Sequence, residues 1–242
     1  MRRVLGDGND PVAAAAAVMS SYGRYYAEAL WARGSRVPDL RRHTSVEGLQ
    51  WIIDAREQGK GMIFGLPHVG NWEAAAPVAV AERVPVVAVA ERLPNERITE
   101  WFTDMRAEFG IEIVLATGGT EVMRKLEAAL AENKAVALLS DRDLKGRGVE
   151  VEFFGERTTL PPGPATLALR TGAPLFPVAT YFEGDNGYRV VVTPPLSIPG
   201  EGSRSEKVVA VTQALARELE ALIRQAPDQW HLVQPNWPSD RE

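Results

Sequence analysis

Cysteine is absent from the 242 residues. Disulfides, thiolate nucleophiles and thiolate metal sites are therefore excluded together, and a reducing compartment is compatible with the absence. Histidine is scarce as well. His43, His68 and His231 lie far apart and form no H-E-x-x-H or similar cluster, so a histidine-based metal site is not expected. Basic residues carry no surplus: the net charge of −5 argues against a nucleic-acid binder, whose backbone contacts need positive charge. Long apolar runs are also missing. The most apolar segments, Met62–Leu66 and Ala135–Leu139, fall far short of the roughly 20 residues that cross a bilayer. No secretory leader is legible, and the chain reads as soluble or peripheral. Neither a G-x-S-x-G elbow nor a P-loop occurs. Gly59-Lys60-Gly61 precedes its strand instead of following it, so it is no dinucleotide fingerprint.

What is present is a globular composition. With 45% hydrophobic and 24% charged residues the chain is not disordered, and its length suffices for one full core. Asp10-Pro11 opens a helix whose Tyr22, Tyr25, Tyr26, Leu30 and Trp31 recur at helical spacing. Thr44, with Glu47 three residues on, reads as a capping box for a second helix to about Gln58. Strands and helices then alternate. Strands are expected at Gly61–Leu66, Val84–Ala90, Ile111–Leu115 and Ala135–Leu139, with helices at Asn71–Glu82, Asn95–Phe109 and Thr120–Glu132. That alternation predicts an α/β fold with a largely parallel sheet. Beyond Asp141 come an extended Val149–Phe154, a short helix Gly163–Thr171, and a strand pair Leu175–Phe182 and Tyr188–Thr193. Ser203 and Glu206 cap a long amphipathic helix to about Gln225. The expected architecture is a single α/β domain over 1–242 with a mixed, largely parallel central sheet flanked by helices. Residues 1–43 form an N-terminal helical segment and 44–238 a catalytic core.

The informative segment is Leu66-Pro67-His68-Val69-Gly70-Asn71-Trp72-Glu73. It leaves a buried strand and opens a helix, where open parallel sheets place their ligands. An imidazole titrating near neutral pH can take a proton from an attacking hydroxyl. Glu73, in the first helical turn, is expected to reach back to His68 and fix its tautomer, as the acid of a triad does. Gly70 leaves room, and free N–H groups at the helix start suit developing negative charge. A satisfied core histidine, with Glu73 merely complementing the helix dipole, fits the same residues.

His68 to Glu73 also matches the H-x4-[DE] motif of the glycerolipid and lysophospholipid acyltransferase superfamily. LPHVGNWE resembles the branch that holds bacterial lipid A acyltransferases and actinobacterial phosphatidylinositol mannoside acyltransferases. Two further blocks agree: Ser140-Asp141-Arg142-Asp143 with Gly146, Gly148 and Val151–Gly155, and Pro161 to Pro174 with Pro177-Val178. The likeness runs in order over about residues 40–238. Pro227–Trp237, together with an Ala- and Arg-rich composition, is similar to the mannoside side of that branch.

The resemblance implies transfer of a long-chain acyl group, palmitoyl in this branch, from acyl-CoA to a hydroxyl of a membrane glycolipid. The mannose of a phosphatidylinositol mannoside is the expected acceptor. A lipid A precursor or a lysophospholipid is the alternative acceptor, and a non-catalytic lipid-binding module or an acyl-CoA hydrolase the alternative role. It implies no cofactor beyond acyl-CoA as co-substrate, no metal, and work at the cytoplasmic face of the plasma membrane without nucleic acid. The catalytic group would be His68, Glu73 and Asp141, the last equally readable as a turn-capping loop residue. Arg106, Arg147 and Arg170 are expected to bind acyl-CoA phosphates, and Asn71, Glu91, Arg92 and Asp143 the acceptor. Each arginine alone also reads as a solvated charge. Family members begin with further residues that help hold them on the membrane. Either the chain is a shortened form, then, or docking depends on the helix at 12–31 and on exposed Trp and Phe residues.

Overall fold

A computed structural model describes residues 2–6, 10–31, 34–116, 120–143 and 146–240. Helices are α1 (Arg2–Leu5), α2 (Pro11–Trp31), α3 (Val37–Arg42), α4 (Leu49–Gln58), α5 (Ala76–Ala81), α6 (Glu96–Glu108), α7 (Thr120–Ala131), α8 (Gly163–Thr171) and α9 (Arg204–Gln225). Strands are β1 (Thr44–Glu47), β2 (Met62–Leu66), β3 (Val86–Ala90), β4 (Ile111–Leu115), β5 (Ala135–Leu139), β6 (Val149–Phe153), β7 (Glu156–Leu160), β8 (Leu175–Glu183) and β9 (Gly187–Val192).

Seven strands form one sheet in the order β1-β9-β8-β2-β5-β3-β4. The five from β8 to β4 run parallel; β9 turns back against β8, and β1 lies parallel to β9. Helices cover both faces, so the inner strands read as nearly continuous apolar runs, as parallel strands must. On one face Met62, Leu66, Phe176 and Val178 pack under α4, α5 and α6. On the other, Ile63, Val136 and Leu175 pack under α7, α8 and Val211 of α9. Gly65 has no room for a Cβ, which would stand 2.9 Å from a Leu215 methyl. The long α9 thus lies directly on β2.

Strands β2–β5, β8 and β9 follow the sequence pattern closely; the helix expected over Asn71–Glu82 is a short turn, Trp72–Ala75, followed by α5, and two further segments depart. Thr44–Glu47 is an edge strand, not a helix start. Its residues alternate in burial, with Thr44 and Val46 on the half-buried side, and pair with Tyr188–Val191, so tertiary pairing overrides the capping-box spacing. Gly48 makes the break: it is left-handed at φ 78°, and a Cβ there would lie 2.1 Å from the Val192 carbonyl oxygen. The second departure is β7, which joins β6 in an antiparallel hairpin. Gln213 of α9 holds that hairpin by bonding both the N–H and the carbonyl of Glu152, at 2.8 and 2.9 Å.

The Ser203 and Glu206 side chains each meet the other's backbone N–H, which closes the capping box of α9. Replacing Ser203 by Ala should cost about 1 kcal/mol, seen as a drop of roughly 2–4 °C in melting temperature. Gly48→Ala should cost more, because the added methyl meets backbone instead of a side chain that can move.

Candidate active site

The pairing of β2 and β5 assembles the site. Leu66 faces Leu139 in register, and two residues beyond each strand end lie His68 and Asp141. The chain leaves β2 toward β3 on one side and leaves β5 toward β8 on the other. A crevice opens at such a point of divergence, outside the carboxyl ends of the strands. Gly70 keeps the His68 loop close to β8: it is left-handed at φ 57°, and a Cβ would lie 2.2 Å from the Thr180 carbonyl oxygen.

The Asp141 carboxylate is fully buried. Its Oδ1 lies 2.5 Å from His68 Nδ1. Its Oδ2 accepts the His68 backbone N–H at 3.0 Å and the Trp230 indole N–H at 2.7 Å. Burial by itself would raise this carboxyl. The charge of His68, its ring N–H, the Trp230 indole and the His68 backbone N–H outweigh burial and hold the group below the usual carboxylate range. A neutral imidazole in this setting carries its proton on Nδ1, which leaves the Nε2 lone pair available. Among the described residues Nε2 has no hydrogen-bond partner.

Glu73 does not reach the imidazole. Arg106 donates to Glu73 Oε1 through Nε at 2.9 Å and Nη2 at 2.7 Å, and the Tyr25 hydroxyl donates to the same oxygen at 3.3 Å. Burial and the Glu73 charge push the Tyr25 phenol well up. The short turn Trp72–Ala75 carries Glu73 toward α2 and α6, while Asp141, beyond the end of the neighbouring strand β5, takes the place expected for it. The helix start is occupied too: the Glu73 and Ala74 N–H groups both bond to Asn71.

Helix α2 closes over this loop. The Ser21 hydroxyl lies 2.9 Å from His231 Nε2, and Glu28 accepts from Asn71 Nδ2 at 2.8 Å and from the Tyr188 hydroxyl at 2.9 Å. The His231 backbone N–H donates to the His68 carbonyl at 2.8 Å. Burial, with the nearby charge of His68, draws the His231 imidazole down to about 4, so that ring is neutral at physiological pH.

From His68 an apolar cavity of about 550 Å³ runs along one face of the sheet. Phe64, Ala88, Ile113, Ala137, Val178 and Val190 line it. Tyr22, Tyr26, Glu91, Arg142 and Asp143 add polar groups to its lining. Of the expected acceptor residues, Glu91 and Asp143 line the cavity. Asp143 also accepts from the Gly148 N–H and, at 3.0 Å, from the Thr159 hydroxyl. Asn71 serves as a cap and as the tie to Glu28, and Arg92 lies 3.5 Å from Glu96, off the cavity lining.

The three arginines expected on phosphate do not converge. Arg106 lies on the wall but belongs to Glu73. Arg147 is exposed and off the cavity lining, and Arg170 pairs with Glu127 in a separate shallow depression shared with Arg204 and Lys207. Sequence reading missed Trp230, His231, Asn236 and Tyr25 as parts of the site. The tyrosines registered only as helical spacing, and the 227–237 segment only as a likeness. Its aromatic and amide density was the available signal.

Two mycobacterial proteins named phosphatidylinositol mannoside acyltransferase are similar to this chain. The Mycolicibacterium smegmatis protein is 39% identical over 225 residues, covering 93% of this chain and 72% of the relative. The Mycobacterium tuberculosis protein is 38% identical over 234 residues, covering 96% and 72%. A lipid A biosynthesis acyltransferase of Haemophilus influenzae is more distant, at 21% over 193 residues, covering 79% and 58%. The model of the bacterial lipid A biosynthesis acyltransferase family matches residues 5–239. That span takes in the sheet, the His68–Asp141 crevice and the segment that closes over it, and the chain belongs to this acyltransferase family.

Proposed function

We propose that this lipid acyltransferase moves a long-chain acyl group, palmitoyl in our reading, from acyl-CoA to a mannose hydroxyl of a phosphatidylinositol mannoside. The observation that carries the mechanism is His68, its Nδ1 held by a buried carboxylate and its ring at an apolar cavity. The names of the two mycobacterial relatives support the acceptor. The cavity suits the chain, since each buried methylene contributes about 0.8 kcal/mol.

In this mechanism the acceptor hydroxyl donates a hydrogen bond to His68 Nε2. As its oxygen attacks the thioester carbonyl, the proton passes to Nε2, and Asp141 stabilises the imidazolium that forms. The tetrahedral intermediate collapses with cleavage of the carbon–sulfur bond. The departing thiolate takes the proton back from Nε2, leaving an ester, free CoA thiol and a neutral histidine. Glu73, turned to Arg106, acts as a positioning residue for the wall and for α2.

The reaction belongs at a bilayer surface in our reading. Among the described residues no helix is long and apolar enough to cross a membrane. On α2, Val12, Met19, Tyr26 and Leu30 are 75%, 58%, 42% and 66% exposed. Steps of seven, seven and four residues bring them onto one side of the helix. Arg24 and Glu28 pair with each other and lie on another side. Trp31 follows, with the Arg36 guanidinium 4.2 Å from its ring centre, and Arg41 and Arg42 are exposed nearby. An apolar stripe ending in aromatic and basic residues is suited to lie in an anionic lipid interface. Tyr26 belongs both to that stripe and to the cavity lining.

Thiol release from palmitoyl-CoA, with and without a mannosylated phosphatidylinositol, tests the reaction. His68→Ala should lower acceptor-dependent release by roughly 10²–10⁴-fold, and Asp141→Asn should approach that loss by favouring the wrong tautomer. Unchanged turnover in His68→Ala would sink the mechanism, and release independent of acceptor would mark a hydrolase. Asp141 also sets a pH signature. Its folded carboxyl titrates below the unfolded value of about 3.9, so its contribution to stability is full above that value and fades as pH falls through the folded pKa. Chemical denaturation between pH 5 and 2 should show a shallower decline in Asp141→Asn. Met19→Glu with Leu30→Glu should weaken binding to phosphatidylinositol vesicles and slow turnover on bilayer acceptor. Turnover of a water-soluble acceptor should stay as in the wild type.

A further inference from the structure

The cavity lining holds two guanidinium groups, Arg106 and Arg142. Arg106 is committed to Glu73 through two of its nitrogens. Arg142 is not committed in that way. It is half-buried, forms no ion pair among the described residues, and donates one hydrogen bond, at 3.2 Å, to the neutral amide oxygen of Gln234. Its backbone is tied on the Asp141 side, where the Asp141 carbonyl accepts from Asn236 Nδ2 at 3.2 Å. Arg142 thus follows directly on the residue whose carboxylate meets His68, and it lines the same cavity.

Its surroundings suit an anion. The Tyr22 and Tyr26 hydroxyls, 3.0 Å apart, line the same cavity. The Arg142 charge is felt at the Tyr22 phenol, where it opposes the burial and the Tyr26 contact that push that group up to about 12. Asp143, the neighbouring acid, already accepts from Gly148 and Thr159. A planar guanidinium beside an apolar space, with donors that no carboxylate among the described residues takes up, matches the fork geometry of a phosphate.

We propose that Arg142 binds a substrate phosphate beside the catalytic crevice, with Tyr22 and Tyr26 offering hydroxyls to the same group. The proposal rests on the acyltransferase reading for its choice of ligands. Both substrates of that reading carry phosphate: the donor in its CoA moiety, the acceptor in its phosphodiester.

The test separates binding from turnover. In a His68→Ala background, calorimetry compares the affinity of CoA with that of pantetheine, and of a short-chain phosphatidylinositol with that of an alkyl mannoside. Adding Arg142→Gln should weaken one phosphate ligand by roughly tenfold or more, as loss of a charged hydrogen bond does. Its phosphate-free counterpart should be unaffected, and the pair that responds identifies the source of the phosphate. Arg142→Lys should restore part of the affinity, since it keeps the charge but loses the fork. Equal weakening of the phosphate-free ligands, unchanged affinity for both phosphate ligands, or no binding of either in the parent protein would each overturn the proposal. A selective loss of phosphate binding, in a protein whose wild type releases no thiol, would leave the Arg142 site standing and remove the acyltransferase mechanism instead. Melting temperatures check that the variants fold.

Discussion

Much of this structure depends on one buried carboxylate. A carboxylate removed from water is costly unless hydrogen bonds and opposite charge replace its hydration. Asp141 meets that condition with donors from separate parts of the chain: the His68 backbone and ring, and the Trp230 indole. Removing any of these partners would leave an oxygen short of a donor in an apolar setting. The β2 loop, the β5 loop and the C-terminal segment are held at one point by this requirement. The imidazole orientation follows from it.

The cavity beside that point is a second consequence of the fold. A mixed sheet with helices on both faces ordinarily fills both sides with side chains. Here Ala88, Ala90 and Ala137 line an open cavity on one face, and α2 contributes Tyr22, Tyr25 and Tyr26 to its wall. Helix α2 meets the His68 loop through the polar groups of Ser21, Tyr25 and Glu28 and through the Tyr25 ring, whose centre lies 4.3 Å from that of Trp72. Its buried face supplies recognition of the loop and its outer face stays apolar.

The sheet was legible in the sequence because its signals are local. Ile111–Leu115 and Ala135–Leu139 are short apolar runs bounded by turn residues, and the Ser203–Glu206 box marks α9 within four residues of sequence. His68 was legible as a strand-end residue for the same reason. The identity of its partner was not. Glu73 is near His68 in sequence, whereas Asp141 is 73 residues away and reaches it only through strand register. Thr44–Glu47 misled in the opposite sense, since a spacing suited to a cap was overruled by pairing with β9, 144 residues on from Thr44 to Tyr188. The arginines show a further limit: composition near a motif cannot tell whether a guanidinium is already taken, as Arg106 is by Glu73.

The segment that closes the site carries a consequence for biosynthesis. Val69 bridges to Trp230, the His231 N–H bonds the His68 carbonyl, and Asn236 holds the Asp141 backbone. These residues follow every strand of the sheet in the order of synthesis. While the chain is being made, the sheet strands through β9 can pair, yet the Asp141 carboxylate lacks its indole donor and α2 lacks the histidine that Ser21 meets. A nascent chain that stops short of Trp230 therefore holds the Asp141 carboxylate with the His68 donors alone. Asp141 and Ser21 gain their full set of partners only when this later segment has been added.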